Sequence, residues 1–411
     1  MRKKAEQPSV SVGLVGHVDH GKTTLVKAMS GKWTDTHSEE IKRGITIRLG
    51  YADATFYKCP KCKPPECYAI TTKCGVCGSP TQPKRKVSFV DAPGHESLMA
   101  TMLAGATIID GALLLIAANE ICPQPQTREH LMALDIIGIE RIIVVQNKID
   151  SVSAEATLKN YEEIRKFLKG TRYEKAPIVP ISAQHSTNID ALIQVIEEYL
   201  PDVKRDAKAH PQLFVARSFD TNRPGAKPED LVGGILGGTL KSGILKKGDD
   251  IEIRPGYSVE EQNKKVWKPL TTKIVGLMAA SLPTDEIGPG GSVGIMTSLD
   301  PSIVKSDALA GSIAGLPGKL PPVLYDFKLE IHLLNRVVGS KEDLKVEPIK
   351  LLETLMMNVN SAATVGVVTQ LAKDTVICKL KMPVCADPGS RVTISRLIGQ
   401  RFRLIGYGII K

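Results

Sequence analysis

The chain has 411 residues, of which 42% are hydrophobic, 24% charged and only 4% aromatic. This length predicts two to four domains and excludes a disulfide-stapled miniprotein, and the composition excludes intrinsic disorder. The net charge of +10 predicts a surface that attracts a polyanion, and residues 322–411, with 13 basic and 8 acidic side chains, carry half of that surplus.

The first 200 residues alternate short apolar runs with segments of helical period. The apolar runs predict buried parallel strands at Val10–Gly16, Val87–Val90, Gly111–Ala117, Arg141–Gln146 and Pro177–Ile181. The helical periods predict helices from Lys22 and over Thr127–Leu134, Ala154–Leu168 and Ile189–Tyr199. This alternation indicates a doubly wound α/β domain. No run reaches the roughly 20 apolar residues of a transmembrane helix and no export signal is visible, so we expect an intracellular protein with no membrane partner.

A glycine-rich loop joins the first predicted strand to the first predicted helix. Its sequence, GHVDHGKT from Gly16 to Thr23, satisfies GxxxxGK[ST] in the strand and helix context that the motif requires. The glycines let backbone N–H groups surround phosphates, Lys22 reaches the β- and γ-phosphates, and Thr23 ligates Mg²⁺. We interpret the loop as a nucleoside triphosphate site, the alternative being a fortuitous glycine turn.

Two polar segments that follow later strands predict recognition of guanine. Open α/β sheets bind ligands at the carboxyl ends of their strands, which is where NKID (147–150) is expected. The carboxylate of Asp150 can accept from the guanine N1 and N2 donors, which adenine lacks. Asn147 could donate to the base N7 or brace the loop, and the Ser182–Ala183 backbone could present an amide to guanine O6. Each segment alone is also compatible with a solvated loop, but their order after a phosphate loop favours guanine.

The segment DAPGH ends another predicted strand. Asp91 is expected to hold Mg²⁺ through water, Gly94 to bring its N–H to the γ-phosphate, and His95 to orient the attacking water. A surface histidine in a turn is the alternative for His95. Thr46, in RGITI, supplies a hydroxyl that could close over the Mg²⁺ when the γ-phosphate is present, so both segments are expected to respond to GTP.

Five of the eight cysteines fall within nineteen residues. Two Cys-x-x-Cys pairs have the spacing of a metal site: Cys59 and Cys62 in CPKC, and Cys74 and Cys77 in CGVC. Such a site is structural rather than catalytic, because four thiolate ligands leave no open position for a substrate. Unliganded structural cysteines are the alternative, and iron in place of zinc is compatible with the same spacing. Cys67 is expected to be a bystander in this insert.

After residue 200 the pattern changes to short alternating stretches punctuated by turns. Two sets of such stretches follow a charged linker, and a cluster of turn residues around 315–322 separates them. This pattern is typical of two small β-barrels in series. We therefore predict a domain at 1–203 with a cysteine insert at 57–80, a β-barrel at 204–321 and a second β-barrel at 322–411.

The motifs GHVDHGKTTL, RGITI, DAPGH and NKID together resemble the translational GTPases, the family that contains elongation factor Tu. GILKKGDDIEIRPG resembles the second-domain barrel of that family. RGITIRLGYADA, followed by a four-cysteine insert before DAPGH, is similar to the gamma subunits of archaeal and eukaryotic translation initiation factor 2 along the whole chain. The resemblance implies an α/β P-loop GTPase domain with a zinc-knuckle insert, followed by two β-barrels.

The resemblance implies a cytoplasmic GTPase that binds initiator methionyl-tRNA and assembles with alpha and beta subunits. It would deliver the tRNA to the small ribosomal subunit and hydrolyse GTP to GDP on release. The implied nucleotide-binding residues are Asp19, His20, Gly21, Lys22, Thr23, Thr24, Asp91, Gly94, Asn147, Lys148, Asp150, Ser182 and Ala183. The implied Mg²⁺ residues are Thr23, Thr46 and Asp91, with Asp19 at a position that can help hold a second Mg²⁺. The implied catalytic residue is His95, and the implied Zn²⁺ ligands are Cys59, Cys62, Cys74 and Cys77.

Two other functions are compatible with parts of the sequence. An elongation-type carrier of general aminoacyl-tRNA would use the same switch, although the cysteine insert argues against it. A GTPase that regulates a metabolic enzyme would use a related G domain. The basic segment 391–403 could contact RNA phosphates or form a solvated strand face, and the sequence favours neither.

Overall fold

The computed structural model describes residues 7–34, 49–94, 102–103, 108–222, 225, 227, 231–262, 264–280, 282–334, 337 and 344–411. The predicted site residues Thr46 and His95 lie outside this part of the chain. The described residues form two compact units, one of them spanning Pro8–Val203 and the other containing the described residues from Lys204 onward together with Gln7.

The first unit is built on a seven-stranded mixed sheet. Its strands are β1 (Val10–Gly16), β2 (Gly50–Lys58), β3 (Tyr68–Ala69), β4 (Gln82–Asp91), β5 (Gly111–Ala117), β6 (Ile142–Asn147) and β7 (Ile178–Pro180). The order across the sheet is β3-β2-β4-β1-β5-β6-β7, and β4, β1, β5, β6 and β7 run parallel. Every residue of β1 and β5 is buried, which explains why these strands are continuous apolar runs rather than alternating ones.

Four helices accompany this sheet in the described part of the unit. They are α1 (Lys22–Ser30), α2 (Pro125–Ile137), α3 (Ala154–Leu168) and α4 (Ile189–Tyr199). α2 starts with proline and is followed by Gly138, which caps the helix with φ of 92°. The hydroxyl of Ser153 caps α3 by accepting from the N–H of Ala156. None of the helices formed by the described residues combines the length and apolar character needed to cross a bilayer.

The predicted α/β architecture is confirmed, and β1, β5, α3 and α4 have the predicted bounds. The sequence did not reveal β2, which runs antiparallel to β4 with Gly50 opposite Asp91. The cysteine insert lies between these two strands, and the short strand β3 within it pairs with the end of β2. The sheet therefore has two more strands, β2 and β3, beside β4 than the apolar runs predicted.

The second unit begins with a closed barrel. Its strands are β8 (Gln212–Phe219), β9 (Ile235–Ser242), β10 (Leu245–Lys246), β11 (Asp250–Glu261), β12 (Lys264–Ala279), β13 (Leu282–Thr284), β14 (Glu286–Ile287), β15 (Val293–Thr297) and β16 (Ile313–Gly315). Six of them close in the order β11-β16-β8-β9-β15-β12 because β12 pairs back onto β11. β13 adds to β12, β10 pairs with β14, and a one-turn helix α5 (Pro301–Val304) follows β15.

A second closed barrel completes the unit. Its strands are β17 (Val323–Leu333), β18 (Thr354–Val359), β19 (Ala362–Leu371), β20 (Thr375–Cys385), β21 (Arg391–Ile398) and β22 (Arg401–Ile410). They close in the order β17-β20-β19-β18-β21-β22 around a core that includes Leu355, Ile394 and Ile405. The prediction of two β-barrels is confirmed, although the alternating stretches found in the sequence did not include the barrel strands β12, β16 and β18.

Candidate nucleotide site and cysteine cluster

The glycine-rich loop connects the end of β1 to the start of α1. Gly16 has φ of 140°, and a Cβ atom there would lie 2.4 Å from the carbonyl oxygen of Leu115. Gly21 precedes α1 with φ of 87°, and a Cβ atom there would lie 2.4 Å from Nδ2 of Asn147. Both positions therefore require glycine for conformation and for space. The loop meets the N-terminus of α1, an arrangement that binds phosphate groups.

Lys22 is buried against this loop. Its Nζ donates to the carbonyl oxygen of His17 at 2.7 Å and to that of Gly16 at 3.1 Å. A Cβ atom on Gly94 would lie 2.4 Å from the same Nζ, so the backbone after β4 approaches the ammonium group closely. The structure thus brings together Lys22 and Gly94, two residues that the sequence assigned to the terminal phosphates.

Thr23 and Asp91, both predicted to bind Mg²⁺, are in direct contact. Asp91 is the last residue of β4 and is fully buried, and its Oδ2 accepts from the hydroxyl of Thr23 at 2.7 Å. A hydroxyl that donates its hydrogen can still offer oxygen to a cation, and Mg²⁺ prefers such oxygen ligands. These two residues therefore fit the ion. Asp19, exposed in the loop with φ of 62°, and Thr24, in the first turn of α1, belong to the same motif.

Asn147 joins the phosphate loop to the loop that follows β7. Its Nδ2 donates to the carbonyl oxygen of His20 at 2.9 Å, and its Oδ1 accepts from the N–H of Ala183 at 3.0 Å. The side chain is buried, so these two hydrogen bonds are shielded from water. Asn147 therefore braces the loops, which is the second of the two roles considered for it.

Asp150 lies in a 3₁₀ turn, Ile149–Ser151, directly after β6. A hydrogen bond from the Ser182 side chain lowers the pKa of Asp150, so its carboxylate is ionised and can only accept. Nε2 of His185 lies 3.7 Å from its Oδ2. Lys148 precedes the turn with φ of 63°. The predicted base-binding residues of the two loops are thus neighbours.

Two histidines lie next to the phosphate loop: His20 belongs to the loop motif itself, and His130 belongs to no motif. The N–H of Gly16 donates to Nδ1 of His130, which is on α2, at 2.8 Å. Burial lowers the pKa of His130 to about 3, so its imidazole is neutral and able to accept. His20 donates from Nδ1 to the carbonyl oxygen of Leu115 at 2.9 Å, and its Nε2 lies 3.3 Å from Glu120. The side chain of His20 therefore packs inside the protein. For His130 the sequence offered only its position on the buried face of α2.

The four cysteines of the two CxxC pairs come together in the insert between β2 and β4. Their Sγ atoms all lie within 4.8 Å of one another, with Cys59 and Cys77 3.5 Å apart and Cys62 and Cys74 3.7 Å apart. A tetrahedron with Zn–S bonds of about 2.3 Å requires sulfur atoms about 3.8 Å apart. The cluster therefore fits a zinc knuckle. Cys67 is buried outside it, as expected.

Hydrogen bonds favour the thiolate form in the second CxxC pair. The backbone N–H groups of Cys77 and Val76 lower the pKa of Cys74. The side chain and backbone of Ser79 lower the pKa of Cys77 to about 6. Because the thiolate is the form that binds metal, Cys74 and Cys77 suit a cation, whereas hydrogen bonds with Cys77 and Cys74 raise the pKa of Cys62.

The basic segment 391–403 forms the hairpin of β21 and β22. Arg396 forms an ion pair with Glu353, which is itself only partly exposed. The guanidinium of Arg391 lies 4.8 Å from the ring centroid of Tyr407. These two arginines therefore have structural partners within the barrel.

Comparison with protein families assigns both ends of the chain. The family described as Elongation factor Tu GTP binding domain matches residues 7–202. The family described as Initiation factor eIF2 gamma, C terminal, matches residues 325–410. The first match covers the phosphate loop and the cysteine insert, and the second covers the last barrel.

Similar proteins match over the full length. The chain is 59% identical to translation initiation factor 2 subunit gamma of Methanothermobacter thermautotrophicus, over 98% of this chain and 99% of that protein. It is 57% identical to the subunit of the same name from Pyrococcus horikoshii, over 100% of this chain and 99% of that protein.

Solved structures show the same fold at lower identity. Elongation factor SelB from Methanococcus maripaludis, in complex with the GTP analogue GppNHp, has a TM-score of 0.72 and 22% identity, over 99% of this chain and 79% of that one. The bacterial selenocysteine-specific elongation factor EF-Sec has a TM-score of 0.73 and 22% identity, over 98% of this chain and 58% of that one.

Proposed function

Because the chain belongs to the gamma subunits of translation initiation factor 2, a family of translational GTPases, we propose that it carries initiator methionyl-tRNA to the small ribosomal subunit in a GTP-dependent manner. In this proposal it works in the cytoplasm with the alpha and beta subunits of the same factor and hydrolyses GTP to GDP on release. The 59% identity over 98% of the chain carries the proposal.

The phosphate side of the proposed nucleotide site is the loop from Asp19 to Thr24, together with Gly94. The close approach of Gly94 to Lys22 supports this assignment, because a γ-phosphate held by the ammonium would also meet the N–H of Gly94. His20 contributes through its backbone, since its side chain is directed toward Leu115.

The base side is formed by the loops that follow β6 and β7. Asp150 would accept from the guanine N1 and N2 donors, and the Ser182–Ala183 backbone would meet O6. Lys148 lies between Asn147 and Asp150 and would cover the base. The hydrogen bonds of Asn147 to both loops support this assignment, because they fix the base side relative to the phosphate side.

Mg²⁺ would be held by the hydroxyl of Thr23 and, through water, by Asp91. When bound, the ion would neutralise charge on the β- and γ-phosphate oxygens. The hydrogen bond between Thr23 and Asp91 supports this assignment. By resemblance we also propose Thr46 as a ligand, Asp19 as a ligand of a second Mg²⁺, and His95 as the residue that orients the attacking water.

We further propose the division of the chain into a GTP-binding domain at 1–203, a β-barrel at 204–321 and a second β-barrel at 322–411. The insert at 57–80 would hold Zn²⁺ through Cys59, Cys62, Cys74 and Cys77. The sulfur distances of 3.5 and 3.7 Å support a tetrahedral ion, whose role with four thiolates would be structural.

Filter binding tests the proposed function. The full chain is incubated with GTP or with GDP and with either methionyl initiator tRNA or charged elongator tRNAs. We expect retention of the initiator tRNA that is about tenfold or more stronger with GTP than with GDP, within the usual range of coupling between two sites. Equal retention of elongator tRNAs would instead indicate a general carrier. No GTP-dependent retention of any tRNA would contradict the proposal.

A further inference from the structure

A second hydroxyl reaches the carboxylate of Asp91. Thr34, which follows α1 and belongs to none of the nucleotide motifs, donates from Oγ1 to Oδ2 of Asp91 at 2.8 Å. Thr23 donates to the same oxygen at 2.7 Å. One buried carboxylate oxygen thus receives two hydroxyl donors, one from the phosphate loop motif and one from outside it.

The sheet leaves room for this contact. Gly50, in β2, lies directly opposite Asp91 in the pairing with β4. A Cβ atom on Gly50 would lie 2.6 Å from Cβ of Thr34 and 3.2 Å from its Oγ1. Any side chain at position 50 would therefore push Thr34 away from its present place. The absence of a side chain at Gly50 is therefore what allows Thr34 to lie beside Asp91 at the end of β4.

Two donors on one oxygen restrict how the carboxylate can turn. A buried ionised carboxylate is stable only where hydrogen bonds replace water, and hydrogen bonds to charged groups are directional. Residues that orient a carboxylate in this way around a metal commonly set the affinity for that metal without touching it.

We propose that Thr34 is a positioning residue for Mg²⁺, holding Asp91 so that the carboxylate faces the water molecules of the ion. The inference rests on the proposed function, because it requires that the site bind a Mg²⁺-nucleotide complex. Thr34 acts through Asp91 and contacts neither nucleotide nor metal. Gly50 contributes by keeping the space that Thr34 occupies.

Release of a fluorescent GDP analogue from the full chain tests this inference. The release rate is measured with excess Mg²⁺ and again after EDTA, and the Mg²⁺ concentration at half-effect is titrated. For Thr34→Val, which keeps the volume but removes the hydroxyl, we expect the Mg²⁺ midpoint and the release rate in Mg²⁺ to rise roughly tenfold, as for other residues that orient metal ligands. The rate in EDTA should stay within about twofold of the unchanged chain.

Matched variants separate positioning from folding. Thr34→Ser keeps the hydroxyl and should behave like the unchanged chain. Thr157→Val removes a half-buried hydroxyl on α3 that donates to a backbone carbonyl, and should also leave release unchanged. Gly50→Ala should reproduce the effect of Thr34→Val. Gly276→Ala, whose new Cβ would meet only Met296 at an ordinary 3.6 Å, should not.

The outcomes are distinguishable. A Thr34→Val midpoint equal to that of the unchanged chain, or a release rate raised equally in Mg²⁺ and in EDTA, would overturn the positioning role and leave the proposed function intact. If the rate of GDP release from the wild-type chain is the same with Mg²⁺ and with EDTA, this result would overturn the proposed Mg²⁺ site itself, and the inference with it. If Thr34→Val does not fold, Gly50→Ala against Gly276→Ala decides the question alone.

Discussion

The cysteine cluster and the nucleotide site lie in the same unit but are built in opposite ways. The cluster takes all four ligands from one insert between two neighbouring strands, from Cys59 to Cys77. The proposed nucleotide site takes its residues from four separate strand ends, from Gly16 at the end of β1 to Ala183 after β7. The first is local in the chain, and the second is assembled by the sheet.

This difference determines what each site depends on. The ligands of a local site come from one loop, so we expect the loss of its ion to affect mainly residues 57–80, of which Cys59 and Cys74 reach the core of the unit. An assembled site needs the parallel order of β4, β1, β5, β6 and β7, which brings their carboxyl ends to one edge. It also needs side chains such as Asn147 that connect one loop to another.

The largest effect is expected from a substitution that tests whether the cysteine site depends only on its own insert. Cys74→Ser should remove the ion, which in isolated zinc sites contributes about 10 kcal/mol or more to folding, and residues 57–80 should lose protection in hydrogen exchange. Affinity for GDP should change less than about twofold, because no ligand of one site belongs to the other. Cys67→Ala is the control and should retain about one metal ion per chain. A parallel loss of GDP affinity would show that the insert supports the nucleotide site.

The next effect tests the base side of the assembled site. Asp150→Asn should lower GDP affinity by about 100-fold or more, because hydrogen bonds to a charged group contribute about 1.5–3 kcal/mol each and an amide presents a donor to guanine's donors. Xanthine diphosphate should bind better to the variant than to the unchanged chain. Competition titrations measure both, with Asp135→Asn, which removes an exposed carboxylate on α2, as control. Unchanged discrimination between the bases would remove Asp150 from the site.

A smaller effect tests the connection between the loops. Asn147→Ala leaves the carbonyl of His20 and the N–H of Ala183 without their partner, which should cost about 2 kcal/mol, or some 30-fold in GDP affinity. Hydrogen exchange of the Ala183 amide should accelerate. Gln194→Ala, which removes an exposed amide hydrogen-bonded to Glu198, should change neither measurement. An unaffected GDP affinity would mean that the sheet alone aligns the two loops.

The smallest effect concerns pH. The pKa of His130 is about 3 in the fold against 6.5 ordinarily, so the unfolded chain binds the proton first and stability falls as pH drops below 6.5. Between about pH 6.5 and about pH 5.5 this should cost about 1 kcal/mol. His130→Asn keeps an acceptor for Gly16 but does not titrate, so urea unfolding should show a shallower pH dependence. His17 and His20, whose pKa values burial also lowers, remain in both proteins. Equal slopes would contradict the assignment.

Motifs with a fixed spacing could be interpreted from the sequence because their geometry is local. The cysteine spacing predicted four ligands, and their sulfur atoms lie together. The strand before Lys22 and the helix after it were also predicted, since a continuous apolar run and a helical period each have a distinct pattern. Thr34 and His130 have no such pattern, because each is defined by a partner far away in the chain: Asp91 for Thr34 and Gly16 for His130.

The sequence by itself determined the α/β domain, the two barrels, the phosphate loop and the cysteine ligands, since each of these follows from periodicity or spacing within a short segment. Only the tertiary structure decided that β2 pairs beside β4, that β12 closes the first barrel, and that Asn147 joins two loops. The physical reason is that a buried polar group or a strand edge must be satisfied by whichever partner the fold places next to it. That partner is fixed by the three-dimensional packing of distant segments.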